Sequence, residues 1–203
     1  GTIVPTGIQI GLGVKTGAIY RNTNQGTLQN TGNSLDIAIQ GKGFLQITLP
    51  TGELAYTRAG ALQLSPSGVI VTSDGNQVEP AITIPPNATS VSINQSGEVF
   101  ATIPNQVAPQ NLGQFQTANF INEAGLQAIG GNMYMETVAS GAPVTGTPGQ
   151  DGYGTILQGY LESSNVDAVT ELTNLIKAQR VYEMNSKIIS KSDEMLQNLN
   201  QSV

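Results

Sequence analysis

The chain of 203 residues contains no cysteine, histidine or tryptophan, and only 11% of its residues are charged. Without cysteine, disulfide bonds and thiol chemistry are excluded. Without histidine, Ser-His-Asp and Cys-His nucleophile systems are excluded, as are the commonest zinc, copper and iron sites. We therefore predict that the protein is not an enzyme and that it holds neither a cofactor nor a metal.

Positive charge and long apolar runs are also scarce. Eight Lys and Arg accompany 14 Asp and Glu, so the net charge is −6. Nucleic-acid binding is not expected, because no basic face is available to neutralise phosphates. No apolar run approaches a membrane span and no signal-peptide pattern opens the sequence. We therefore predict neither membrane insertion nor a cleaved signal peptide.

Turn-forming residues are abundant. The 24 Gly and 10 Pro are typical of a turn-rich β protein. Short β-like runs separated by turn signals predict an all-β body domain over residues 21–152. Its strands are predicted at 35–40, 44–49, 54–58, 61–64, 69–72, 77–78, 81–84, 90–93, 99–103 and 114–120.

Three segments outside the predicted strands are interpreted as an arm, a loop and a linker. Residues 1–20 are Gly-rich and lack sustained periodicity, so we interpret them as an extended arm. Residues 141–154 are rich in Gly, Pro and Thr, which indicates a loop. Residues 153–163 are interpreted as a linker to the C-terminal segment.

Residues 164–203 are predicted to form one long amphipathic helix of the coiled-coil type. Gly and Pro are absent from Asn165 onward, and Ser164 and Asn165 are candidate N-caps, with Asp167 in the first turn. Apolar residues recur every seven positions, and the repeat is widened by a second apolar line, so the helix needs more than one neighbour. The predicted assembly interface comprises Leu172, Leu175, Ala178, Tyr182, Asn185, Ile188, Ile189, Leu196 and Leu199. The alternative, a helix packed on its own domain, is weakened because the chain shows no second helical segment.

Carboxylates are the remaining candidates for chemistry. A pair of them in a cleft could hydrolyse a glycoside. Most lie beside Gly or at strand ends, where turn formation and solubility explain them. A carboxylate-based hydrolase is therefore the least favoured function. The acidic residues of the body are Asp36, Glu53, Asp74, Glu79, Glu98, Glu123, Glu136 and Asp151.

Two blocks of the sequence stand out by their order and spacing, residues 41–44 with 56–60 in the body and residues 162–167 with 179–187 near the C-terminus. The first block resembles the body motif of the bacterial flagellar rod and hook proteins, and the second is similar to that family's terminal helix. The resemblance covers nearly the whole chain and implies a structural role for the body motif, with Arg58 fixing a turn by hydrogen bonds. The body motif consists of Gly41, Gly43, Phe44, Tyr56, Thr57, Arg58 and Gly60.

The resemblance implies a subunit that is exported without a cleaved signal and stacks helically into a hollow axial tube. In this family the N- and C-terminal helices pair in the inner layer. We predict no N-terminal helix in the given sequence, so we expect the apolar stripe to face such a helix and neighbouring subunits in the assembled structure. Residues 5–14 are similar to the lead into the body of distal-rod subunits. The implied role is torque transmission across the periplasm, with copies of itself, proximal rod proteins, the hook protein and the surrounding P- and L-ring proteins as partners.

Two other functions remain open. A proximal rod or hook subunit of the same family would differ only in its place along the axis. A secreted carbohydrate-binding or adhesive β domain would explain the Asn- and Thr-rich body, but it would not need the long terminal helix.

Overall fold

The computed structural model describes residues 22–104 and 106–201, so the predicted arm lies outside the described residues. Within this part, the predicted mainly β fold with a long C-terminal helix is confirmed. A short 3-10 helix lies at Glu123–Gly125 and the long helix, α1, spans Ala168–Gln201. The strands are β1 (Leu28–Asn30), β2 (Ile37–Gln40), β3 (Phe44–Thr48), β4 (Leu54–Thr57), β5 (Leu62–Leu64), β6 (Ile70–Thr72), β7 (Gln77–Glu79), β8 (Ser90–Ile93), β9 (Glu98–Thr102), β10 (Gln110–Gln114), β11 (Thr117–Asn119), β12 (Gln127–Gly130), β13 (Met133–Met135), β14 (Val144–Gly146), β15 (Thr155–Gln158) and β16 (Tyr160–Glu162).

The largest sheet is built around β3. Its strand order is β12-β13-β4-β3-β7-β6-β5, and β11 pairs with both β3 and β14. Strands β3 and β4 form an antiparallel hairpin, and Ile47 lies opposite Ala55 in its register. Strands β8, β9 and β10 form a separate antiparallel sheet, and β2 pairs with β15. All of these pairings are antiparallel, and short turns join those between consecutive strands, such as β3 with β4 and β8 with β9.

Two hydrophobic clusters form the core of the body. The smaller, aromatic cluster packs Tyr56 edge-on against Phe120, with ring centroids 4.8 Å apart, and Phe120 in turn against Phe44. Burial, followed by the negative charge of Glu136, raises the pKa of Tyr56, so its phenol stays neutral. The main cluster consists of Ile37, Ile39, Leu45, Ile47, Ala55, Leu62, Ile70, Val78, Ile82, Ile84, Ile93, Val99, Phe115 and Ile156.

Some predicted strands differ from those observed. Residues 81–84 contribute only an isolated bridge between Thr83 and Val69, because the flanking Pro80 and Pro85 have no N–H to donate to a ladder. The run predicted at 114–120 is divided. Its Phe115 turns into the main core and donates its N–H to the carbonyl of Gly97, so β10 and β11 join different sheets.

The segment predicted as a linker, residues 153–163, contains β15 and β16. Ile156 of β15 pairs with Ile39 of β2 and is buried in the main core. Strand β16 pairs with β1, a strand that the sequence pattern did not predict. These residues are therefore packed against the body rather than irregular. Strands β12, β13 and β14 were also not predicted, because none of them buries an apolar face strongly enough to leave a clear alternation.

The core assignment yields a stability prediction. Ile47 has no exposed surface, whereas Leu54 on the neighbouring strand is 45% exposed. We expect Ile47→Ala to lower the free energy of unfolding by about 2–5 kcal/mol, since it leaves a cavity in the main core. Leu54→Ala is the control and should cost less than about 1 kcal/mol. Denaturant unfolding measures both, and equal losses would contradict the assigned core.

Candidate assembly interface

Helix α1 contributes nothing to the core. Every side chain of α1 that the structure describes is exposed. On the predicted stripe, Leu175 is 64% exposed, Tyr182 77% and Ile189 63%. In the described part of the chain, the alternative of a helix packed on its own domain is therefore wrong.

The structure places the predicted interface residues along the whole of α1. Leu196 and Leu199 belong to the helix, but their side chains lie outside the described residues. Those that are described are all exposed, namely Leu172, Leu175, Ala178, Tyr182, Asn185, Ile188 and Ile189. Within the described chain they are not buried against another element, and their role as an interface stays a prediction.

The exposed apolar residues of α1 lie on more than one side of the helix. Successive residues turn by roughly 100° around a helix axis. Leu175, Tyr182 and Ile189 therefore form one line, which we call the seam, while Arg180 and Lys187 lie on the opposite side. A second apolar face near the start of the helix consists of Val169, Leu172 and Ile176. Leu172 thus lies on a different side from most of the predicted interface, and the two faces would meet different neighbours.

The start of α1 is fixed by Asp167, which corrects the predicted caps. Its Oδ1 accepts a hydrogen bond from the Val169 N–H at 3.1 Å, and its Oδ2 one from the Thr170 hydroxyl at 2.7 Å. These bonds, the Thr170 one first, lower the pKa of Asp167 below its usual value. The cap is thus fully formed above the usual aspartate pKa and is lost as the pH falls through the lowered one. Ser164 and Asn165 lie before the helix.

A two-stranded antiparallel ribbon, β1 with β16, carries α1. Leu28 lies opposite Glu162 in its register, and the pairing continues where the Ser163 N–H donates to the Thr27 carbonyl at 2.9 Å. Beyond it, the Asn165 side-chain amide donates to the carbonyl of Asn24 at 2.7 Å and to that of Asn22 at 3.3 Å. The chain entering the body at Asn22 therefore lies beside the start of α1.

Arg58 of the body motif holds the turn between β2 and β3. Its guanidinium donates to the carbonyls of Gly41 and Gly43 at 3.1 and 3.0 Å, and to that of Ile39 at 3.2 Å. Gly41 and Gly43 have φ values of 110° and 134°, which L side chains rarely adopt. The turn thus presents its carbonyls to one cation. The Arg58 Nε also donates to Glu162 of β16, with 2.9 Å between Nε and Oε2.

The other residues of the body motif serve the β fold. Phe44 and Tyr56 lie in the aromatic cluster. The Thr57 hydroxyl donates to the carbonyl of Asn132 at 2.9 Å and joins β4 to the turn before β13. A Cβ built on Gly60 would lie 1.7 Å from the carbonyl oxygen of Ile37, so only glycine fits there. Phe44 and Tyr56 thus pack the core, Thr57 bonds a neighbouring turn, and Gly60 allows a close approach of two backbone segments.

Neither a metal-binding cluster nor a membrane-spanning helix is found among the described residues. They contain no group of three or more Asp or Glu side chains arranged to hold a metal ion. In the same part of the chain, no helix is both long and apolar enough to cross a bilayer. The arrangement of a closed β body and an exposed amphipathic helix is that of an assembly subunit.

Comparison with protein families identifies that class. The family model described as "Flagellar hook protein FlgE/F/G D1 domain" matches residues 38–101. A second, "Flagellar basal body rod FlgEFG protein C-terminal", matches residues 157–202 and so begins within β15. The chain belongs to this family of flagellar hook and basal-body rod proteins.

Comparison with individual proteins shows which members of the family this chain is similar to. The chain is 57% identical over 197 residues to the "Flagellar basal-body rod protein FlgG" of Caulobacter vibrioides, covering 97% of this chain and 75% of that protein. It is 51% identical over 193 residues to the protein of the same name from Agrobacterium fabrum, covering 95% and 74%. The "Flagellar hook protein FlgE" of Escherichia coli is 41% identical over 115 residues, covering 57% and 28%. The protein is a structural, non-enzymatic subunit of the flagellar rod.

The close approach at Gly60 can be tested by adding a methyl group. We expect Gly60→Ala to lower the free energy of unfolding by roughly 3 kcal/mol or more, because backbone must move to relieve the clash. Gly52→Ala is the matched control, since Gly52 has a φ of 85° but open space around its Cβ position. It should cost about 1 kcal/mol. A Gly60→Ala variant no less stable than Gly52→Ala would contradict the structural role.

Proposed function

We propose that the protein is a subunit of the distal rod and stacks helically into a hollow shaft that transmits torque from the motor to the hook across the periplasm. The observation that carries the proposal is the pair of exposed apolar faces on α1. The body buries its own apolar residues in two clusters and has no need of this helix. The helix therefore serves contacts outside the subunit.

The energetics of α1 support assembly. Fully burying a large apolar side chain is worth about 1.5–3 kcal/mol. Several such residues stand along the seam and the second face, each at least 48% exposed. Covering both faces requires neighbours on two sides. Contacts between different faces of identical subunits generate a helical filament when the rotation from one subunit to the next does not close into a ring.

The partners follow from the same surfaces. Asn22 lies beside the start of α1, which supports a pairing of α1 with chain N-terminal to the body. We propose further copies of this protein as lateral neighbours, with proximal rod proteins and the hook protein at the two ends of the stack. The P- and L-ring proteins would surround it. Export would occur without a cleaved signal peptide.

The other functions are less well supported. The names and coverage of the relatives favour a rod subunit over a hook subunit, because the hook protein of Escherichia coli matches only 57% of this chain. A proximal position in the rod differs only in which proteins lie at either end. A carbohydrate-binding or adhesive domain leaves the exposed apolar faces of α1 without a purpose.

Substitutions on the seam test the proposal. We expect Leu175→Asp combined with Ile189→Asp to abolish rod growth and motility, since two carboxylates would be buried in a subunit contact without partners. The body should remain folded, because neither residue contacts it. Swimming assays and electron microscopy of basal bodies report assembly, and thermal unfolding reports the body.

The matched control places aspartates opposite the seam, on the stretch of the helix that follows the second apolar face. Arg180→Asp combined with Lys187→Asp alters more charge than the test pair but leaves the seam intact. We expect rods to form in this control strain. Unimpaired motility in the seam variant, or equal loss in both strains, would contradict the proposed role of the seam.

A further inference from the structure

Three side chains tie the ribbon to the turn between β2 and β3. Arg58 reaches Glu162 of the ribbon and the carbonyls of the turn. Gln25, just before the ribbon, donates its Nε2 to the Ile39 carbonyl at 2.9 Å. The Oε1 of Gln25 accepts the Gly41 N–H at 3.0 Å. The segment before β1, through Gln25, and strand β16, through Glu162 and Arg58, are thus both bonded to the turn between β2 and β3.

Glu162 links these segments to each other. Its Oε1 accepts the Gly26 N–H at 2.8 Å while its Oε2 accepts the Arg58 Nε. The side chains of Arg58 and Glu162 are only 20% and 12% exposed. A charge-assisted pair in such a position is shielded from water and held more firmly than an exposed pair. Arg58 is also suited to the task because its guanidinium is a planar fork with a fixed set of donors.

The ribbon has a second, separate attachment to the body. At its inner end, the Gly159 N–H donates to the Asp36 carbonyl at 2.7 Å, and the Thr31 hydroxyl donates to the Asp36 carboxylate at 2.6 Å. Alongside the ribbon lies a cleft of about 320 Å³, lined by Asn24 and Ser163 and by Tyr134 of the body. A ribbon of two short strands is pliable on its own. If only the attachment at Asp36 were present, the ribbon could pivot about its inner end. The contacts with the turn between β2 and β3 add a second attachment, and together the two fix the direction of the ribbon.

We propose that Gln25, Arg58 and Glu162 form a rigid joint that sets the direction in which α1 leaves the body. They are positioning residues, acting through the ribbon. The consequence for torque rests on the proposed function, because a shaft of identical subunits needs the same body-to-helix direction in each one. The joint itself is a property of the single chain and can be measured without assembling a rod.

The test is a distance measurement between two spin labels. The chain has no cysteine, so Gln63→Cys on β5 and Lys177→Cys on α1 provide two unique labelling sites, both exposed. Labelled protein is diluted into excess unlabelled protein, which removes distances between copies. We expect one narrow distance distribution in the parent. Glu162→Gln should broaden it and shift its mean, because the ion pair with Arg58 is lost.

Two further variants keep the test decisive. Gln25→Ala removes the other contact with the turn and should also broaden the distribution, so it decides the matter if Glu162→Gln fails to fold by circular dichroism. Glu53→Gln is the matched control, since it makes the same chemical change at an exposed turn away from the joint. An unchanged distance distribution in a folded Glu162→Gln or Gln25→Ala variant would contradict the proposed joint. Because no rod is involved, that result leaves the proposed rod function standing, whereas failed rods with an intact joint leave the joint standing.

Discussion

The antiparallel pairing of β1 with β16 is the constraint on which the arrangement of this molecule depends. It brings together residues more than 130 positions apart, such as Leu28 and Glu162, and it makes both connections to the body pass through one ribbon. Strand β15, just before it, is paired with β2 and anchored in the main core through Ile156. Helix α1 is therefore attached to a packed domain through hydrogen-bonded backbone.

That attachment explains how one chain can keep two different kinds of surface. The body closes its apolar residues into two clusters and needs nothing from the helix. The helix is held away from the body by the ribbon, so its apolar faces remain open to neighbours. In an assembled rod, the stability of each contact would come from burying these faces, and the stiffness from the bonds that tie Gln25, Arg58 and Glu162 to one turn.

Local patterns predicted the elements whose determinants are local. Helix α1 follows from seven-residue apolar repeats in a segment without Gly or Pro, and the β3–β4 hairpin follows from an apolar run on each side of Thr51-Gly52. Arg58 was expected to fix a turn, and the structure shows the turn it holds. Strand β16 and Glu162 could not be assigned in the same way. The Glu162 partner lies 104 residues away, and strand pairing of that range leaves no local signature. Asp167 was seen as an acidic first-turn residue, yet only the hydrogen bonds identify it as the cap.

We propose that this protein builds the distal part of the rod. Electron microscopy of basal bodies isolated from the source bacterium after deletion of this gene tests the proposal. We expect basal bodies that stop at a short proximal rod and carry no hook. Basal bodies with a complete rod would contradict it.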